Sequence, residues 1–288
     1  MNALFSRQAF SVLNYLVMTL CGIVMLLPFL HIVAGSFSSG HALITGQVTV
    51  LPVEFNLENY KAVLNNRPIW NAFGVTAVVT VLGTLLNLVF TLLMAYGLSK
   101  PDLRGRKAIM LLILFTMIFQ APLIPSYLLV KYLGMLNTIW ALMIPGLISA
   151  FNLIIMISFF RSFPEGLVES AKMDGCGEYR TLWRIVLPLS LPSLTTIGLF
   201  YAVSHWNSYT AALIYVRNPK LQPLQIVLRR LIVESDAEQM MRSAVVTIQS
   251  LEGIKAASII VATVPILVIY PLIQKHFVKG AMLGSVKG

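Results

Sequence analysis

The charged residues of this chain are gathered into short stretches, and long segments between them carry none. Six such intervals open: Arg7 to Glu54, Arg67 to Lys100, Lys107 to Lys131, Lys131 to Arg161, Arg184 to Arg217 and Lys255 to Lys275. The shortest leaves 19 uncharged positions, close to the roughly 20 apolar residues a helix needs to cross a bilayer. Unpaired backbone groups are so costly in hydrocarbon that only helices or a closed barrel can span it. Barrel strands alternate polar and apolar residues over about ten positions. Continuous runs such as Leu111-Leu112-Ile113-Leu114-Phe115 do not alternate. The pattern predicts an all-α polytopic membrane protein with six transmembrane helices, near 12–34, 71–98, 108–130, 136–160, 190–216 and 256–275, forming one domain over residues 1–288.

Composition agrees with that pattern. Charged residues are 11% of the chain and hydrophobic residues 57%, where soluble domains carry about 25% charged residues. The first apolar run, near Val12 to Ala34, exceeds the 7–15 residues of a typical secretory signal core, so it is read as a retained span. The net charge of +10 needs no nucleic acid to explain it, because the basic residues are scattered through connections that are normally Lys/Arg-rich in membrane proteins. Cys21 and Cys176 suggest neither a disulfide framework nor a metal site.

An even number of spans puts both termini on one side. Arg7, the basic 2–3 loop (Lys100, Arg104, Arg106, Lys107), the 4–5 loop and the C-terminal tail all fall there. Short basic connections dominate orientation, so both termini and the 161–189 loop are expected in the cytoplasm. The 36–70 and 217–253 segments are then external. Pro52 and Asn65-Asn66 mark the first as loop or short surface helix.

The 161–189 loop is the most informative stretch. It reads Glu169-Ser170-Ala171-Lys172-Met173-Asp174-Gly175, then nine residues, then Ile185-Val186-Leu187-Pro188. Leu167, Val168 and Ala171 fall on one helical face, and Asp174-Gly175 is a turn signal in which glycine can take positive φ. The spacing of Glu169, Ala171, Gly175, Ile185, Leu187 and Pro188 resembles the EAA motif of ABC importer permeases, with Ser170 in place of the usual alanine. Trp206-Asn207-x-Tyr209 and Leu221-Gln222-Pro223-Leu224 look like the fifth-helix region of carbohydrate permeases. The tail from Lys279, with Gly284 and Lys287, is similar to that of maltose-type G subunits.

The resemblance implies a type I ABC importer permease fold with a cytoplasmic coupling helix. Glu169, Ser170, Ala171, Asp174 and Gly175 would engage an ATPase, with Ile185, Leu187 and Pro188 leading into the fifth span and Gly284 and Lys287 as tail contacts. The implied partners are a second, homologous permease in a heterodimer, two ATP-binding subunits, an extracytoplasmic solute-binding protein, an oligosaccharide substrate and membrane lipid. No cofactor is expected on this chain, and ATP and Mg would sit on the ATPase partners. The residues themselves agree, since no G-x-x-x-x-G-K-[ST] phosphate loop is present. Apart from Lys275 at the very end of the last, no charged residue falls inside the six spans to relay protons or ions.

Substrate-path candidates come from polar groups within the spans. Ser204, His205, Trp206, Asn207 and Tyr209 form the most polar run in any span. They either line a sugar path, where aromatics stack on ring faces while polar groups bond hydroxyls, or hold helices together. Gln120, Tyr127 and Asn152 are further candidates, and His31 reads as interfacial. The 217–255 segment, with Arg217, Lys220, Arg229 and Arg230, serves either a path for acidic, uronate-containing sugars or a docking surface for the binding protein. Three other functions compete with this reading: a permease for a non-sugar solute, a self-contained channel or secondary transporter, and an intramembrane enzyme. The last would need acids beside His205, and the spans offer none.

Overall fold

A computed structural model describes residues 2–163, 166, 173, 175–241 and 251–282. Among them every regular element is helical: α1 (Asn2–Ser36), α2 (Gly40–Ile44), α3 (Glu58–Leu64), α4 (Arg67–Ser99), α5 (Arg106–Ile118), α6 (Leu123–Tyr132), α7 (Ala150–Arg161), α8 (Glu178–Thr181), α9 (Leu187–Leu189), α10 (Leu191–Trp206), α11 (Thr210–Tyr215), α12 (Leu224–Met241) and α13 (Leu251–Met282). Short 3-10 turns lie at Ile139–Leu142 and Pro219–Leu221, and a π-helical turn at Leu182–Val186.

Among the described residues three helices are long and apolar enough to cross a membrane by themselves, over Phe10–Ser36, Arg67–Ser99 and Leu251–Ile269. Two bent pairs qualify if each is taken as one span: α5 with α6, bent by 117°, and Glu178–Leu189 with α10, bent by 80°. The expected single helix through 108–130 is therefore broken. Pro122 lacks an N–H and forces its predecessor out of the α region, and α5 stops at Ile118. The expected helix through 136–160 begins only at Ala150, capped by the Ser149 side chain, because Pro145-Gly146 interrupts the run before it. The span placed at 190–216 ends at Trp206 and resumes as the short α11. Pro188 explains the π turn that precedes it. It cannot donate to the carbonyl of Arg184, and the turn widens so that the Leu187 N–H bonds Leu182 O, five residues back.

The contacts divide the chain into two compact units. The first comprises Met1–Trp70 and Leu228–Val264, and its 36–60 segment is tightly organised. Ser38 Oγ donates to Ala34 O (2.7 Å) and accepts from the Val53 N–H (3.0 Å). Buried Asn59 donates to the carbonyls of Ser36 (3.2 Å) and Ser38 (3.1 Å), while Phe37 stacks on Phe55 with centroids 5.4 Å apart. His31 Nδ1 bonds Thr49 O at 2.8 Å.

The second unit comprises Asn71–Val227 and Pro265–Gly288. Its larger core brings together Leu92 and Ala95 of α4, Ile113 of α5, Met156 and Ile157 of α7, and Ile197 and Tyr201 of α10. Leu182 and Val186 of the π turn join the same cluster. A smaller core packs Val79 against Met143, Ala212, Val216 and Ile226. Small residues permit close approach: Gly198 lies under Leu88, whose Cδ1 would be 3.3 Å from a Cβ there.

Candidate translocation cavity and coupling segment

Within the second unit, α4, α7, α10 and the non-helical 143–149 segment line an open cavity of about 530 Å³. Its polar lining includes Asn87, Ser149, Asn152, Tyr201, Ser204 and His205, and the lining holds no charged side chain. Tyr201, Ser204, His205 and Ser208 all face it. Tyr201, Ser204 and His205, spaced by three and four residues, lie on one stripe of α10, and Ser208 follows just past the helix end.

Two hydrogen-bonded hubs hold this lining. Asn87, 1% exposed, donates its amide to Gly146 O (2.8 Å) and Leu147 O (3.0 Å). Its Oδ1 is left as the acceptor for His205 Nε2 at 2.9 Å, which requires the proton of the neutral imidazole on Nε2. Tyr201 supplies the second hub. Its hydroxyl accepts from the Ser149 N–H (3.0 Å) and pairs with Thr91 Oγ1 (2.8 Å). Irregular backbone at membrane depth persists only where protein or a watery cavity satisfies it, and Asn87 and Tyr201 do this for 146–149.

The sequence candidates separate on this frame. Asn152, Ser204 and His205 meet in the cavity. Trp206 is buried, edge-on to Phe73 with centroids 5.6 Å apart, and its carbonyl accepts from Gln225 Nε2 at 3.4 Å. Asn207 donates back to Val203 O (2.9 Å), at the end of its own helix. Tyr209 packs against the smaller core, and Tyr127 stacks with Tyr215 at 6.4 Å. Gln120 lies exposed at the break between α5 and α6. None of these last five lines the cavity. Asn87, Ser149 and Tyr201 were not foreseen, although the Gly83-x-x-x-Asn87-x-x-x-Thr91 stripe in an apolar helix marks a helix-contact face.

On the loop, Gly175 has φ of 73°, the left-handed turn expected of it. Ile185 lies in the π turn, and Leu187 and Pro188 open α9. Glu169, Ser170, Ala171, Asp174, Gly284 and Lys287 lie outside the described residues. Just past Gly175, Glu178 forms an ion pair with Lys100 and accepts a hydrogen bond from the Tyr96 hydroxyl at 2.7 Å. Lys100 also sits over the Tyr96 ring, 4.5 Å from its centroid. The loop is thereby tied to the last turn of α4, the helix that carries Asn87 and Thr91.

An apolar helical chain with broken spans, an uncharged polar cavity and a loop tethered to a cavity-lining helix has the architecture of a membrane translocation component. Residues 87–282 match the model of the binding-protein-dependent transport system inner membrane component family, and the chain belongs to that family. It is 43% identical over 284 residues to the polygalacturonan/rhamnogalacturonan transport system permease protein YtcP of Bacillus subtilis (strain 168), covering 98% of this chain and 99% of that one. Protein LplC of the same organism is 45% identical over 285 residues, covering 98% of this chain and 96% of that protein. A crystal structure of a bacterial ABC transporter involved in the import of the acidic polysaccharide alginate superposes with a TM-score of 0.86 at 34% identity, covering 94% of this chain and 98% of that one. The chain is thus a multi-pass inner-membrane permease component of an ABC importer with the type I fold, not an enzyme.

Proposed function

We propose that this permease forms half of the path for an acidic, uronate-containing oligosaccharide. The observation that carries the reading is the cavity held by Asn87 and Tyr201. Its volume falls within the roughly 300–1,000 Å³ usual for small-molecule sites, and its uncharged donors and acceptors, with Phe151 and Phe200 beside them, suit sugar hydroxyls and ring faces. The acidic preference draws on the relatives named for polygalacturonan/rhamnogalacturonan and alginate. Asn152, Ser204 and His205 are the proposed sugar contacts. Trp206, Asn207, Tyr209, Gln120 and Tyr127 support or flank the path.

Six spans complete the arrangement, the sixth formed by residues 136–160 with α7 as its helical half. Both termini and the 161–189 loop face the cytoplasm. There Glu169, Ser170, Ala171 and Asp174 form the coupling helix that meets an ATP-binding subunit, Gly175 turns the chain, and Ile185, Leu187 and Pro188 pass its movement to α10. Gly284 and Lys287 extend the contact. The assembly holds a second permease, two ATP-binding subunits carrying ATP and Mg, and an external binding protein. ATP moves the gate only because it stabilises one of its states over the other.

The test uses the reconstituted complex. Uptake of an oligogalacturonate should exceed that of a neutral malto-oligosaccharide, and the reverse preference would sink the acidic reading. Gly175→Val forces a β-branched residue into positive φ, so the ATP-binding subunits should fail to copurify while the second permease remains. Retention of the full complex by that variant would remove the coupling role from this loop.

A further inference from the structure

A second cavity, of about 750 Å³, opens beside α5 and is lined by residues of 101–114 together with Arg161. One end is cationic. Arg106 and Lys107 begin α5, Arg161 ends α7, and all three line the cavity. Among the described residues no ion pair joins this cluster to a carboxylate, Asp102 of the same loop included. Arg161 lies just past the apolar run of 132–160. Partial desolvation and the Arg106 charge beside it both hold its guanidinium below the usual range.

The other end is apolar and runs along α5. Lys107, Leu111, Leu114 and Ile118 follow at intervals of four, three and four residues, one continuous stripe of an α-helix. Leu111, Leu114 and Ile118 are 66%, 44% and 76% exposed. From Lys107 to Ile118 the stripe runs about 16 Å at 1.5 Å per residue, long enough to seat much of an acyl chain. The opposite face of α5 is occupied, since Ile109 and Ile113 pack into the larger core.

We infer that Arg106, Lys107 and Arg161, with the stripe Leu111–Leu114–Ile118, form a binding site for an anionic glycerophospholipid. The phosphate sits among the three cations and one acyl chain lies along α5. Charge complementarity selects the negative headgroup. The apolar stripe selects an amphiphile over a free anion, because inorganic phosphate has no use for exposed leucines continuous with the cationic pocket. Basic pockets between membrane helices are suited to such headgroups. The occupant would brace α5 against α7, the helix from which the coupling loop departs.

The experiment takes the full importer in mild detergent, exchanges it into phosphatidylcholine nanodiscs, and titrates phosphatidylglycerol with lipid retention read by mass spectrometry. Wild type should retain phosphatidylglycerol in preference to phosphatidylcholine. Lys107→Gln, an exposed position where folding is not at stake, should weaken retention about fivefold. The triple variant R106Q/K107Q/R161Q should weaken it by on the order of a hundredfold. Inorganic phosphate at matched charge should not compete. Equal retention of the two lipids, unchanged retention in Lys107→Gln, or full displacement by phosphate would each overturn the proposal. So would a cross-link from residue 107 to an ATP-binding subunit, which would make the pocket a protein contact. The readout is lipid per transporter, so it stands apart from whichever sugar is carried.

Discussion

Gly83 lies directly under the imidazole of His205: a Cβ at residue 83 would come within 2.6 Å of Nε2. That nitrogen is the one that bonds Asn87, so the glycine makes room for the hub that organises the cavity. Gly83→Ala should displace the ring and leave Asn87 Oδ1 buried without a partner. The expected cost is about 1–3 kcal/mol, read as a lowered Tm of the purified complex and a loss of uptake. His205→Ala in the same background removes the clash, so the double variant should be less destabilised than the sum of the two single changes. Strict additivity would mean that residues 83 and 205 do not act on each other.

The Lys100–Glu178 pair makes a different kind of prediction. Its side chains are 25% and 52% exposed, and exposed ion pairs typically contribute no more than about 1 kcal/mol. Glu178→Gln should therefore leave the Tm of the complex nearly unchanged. It should nonetheless reduce the stimulation of ATPase activity by loaded binding protein, because the loop loses its charged tie to α4. The charge exchange Lys100→Glu with Glu178→Lys should restore part of that stimulation. A Glu178→Gln variant with wild-type stimulation would leave the pair as surface electrostatics alone.

In the first unit, Gly253 stands against Asn59. A Cβ at 253 would lie 2.4 Å from the Asn59 amide nitrogen, which donates to the carbonyls of Ser36 and Ser38. Gly253→Ala should cost about 1–3 kcal/mol through overpacking and should loosen the 36–60 segment. Hydrogen exchange of that segment is the measurement. Faster exchange confined to it is the expected result, and unchanged protection would mean that Asn59 can yield without loss.

Much of the architecture was legible because a bilayer imposes a coarse and strict rule. Residues such as Leu111 to Phe115 have no alternative to helix in hydrocarbon, and the charged intervals around them must reach water. The turn at Gly175 was legible for a similarly local reason, since Asp-Gly before a new helix favours positive φ. Local rules also misplace boundaries. Pro122 and Pro145-Gly146 interrupt runs that hydropathy reads as continuous, because an average over apolar residues does not register one missing N–H. The 36–60 segment, expected as loop or short surface helix, is held by Asn59 and Ser38 through bonds across 15 to 23 residues.

The polar run on the fifth helix divides between what composition and what packing decide. By itself the sequence determined that Ser204 to Tyr209 would be the polar point of an apolar span, and that Asn152 was a rare amide in another. Which of these side chains meet was decided by the tertiary structure. A helix turns about 100° per residue, so His205 and Ser204 face the cavity while Trp206 packs on Phe73 and Asn207 turns back to its own helix. Asn87 and Thr91 became partners of His205 and Tyr201 only because α4 lies alongside α10, across 118 and 110 residues of chain. The membrane's cost for an unpaired polar group makes the sequence declare that such residues need partners; only the packed helices choose which ones.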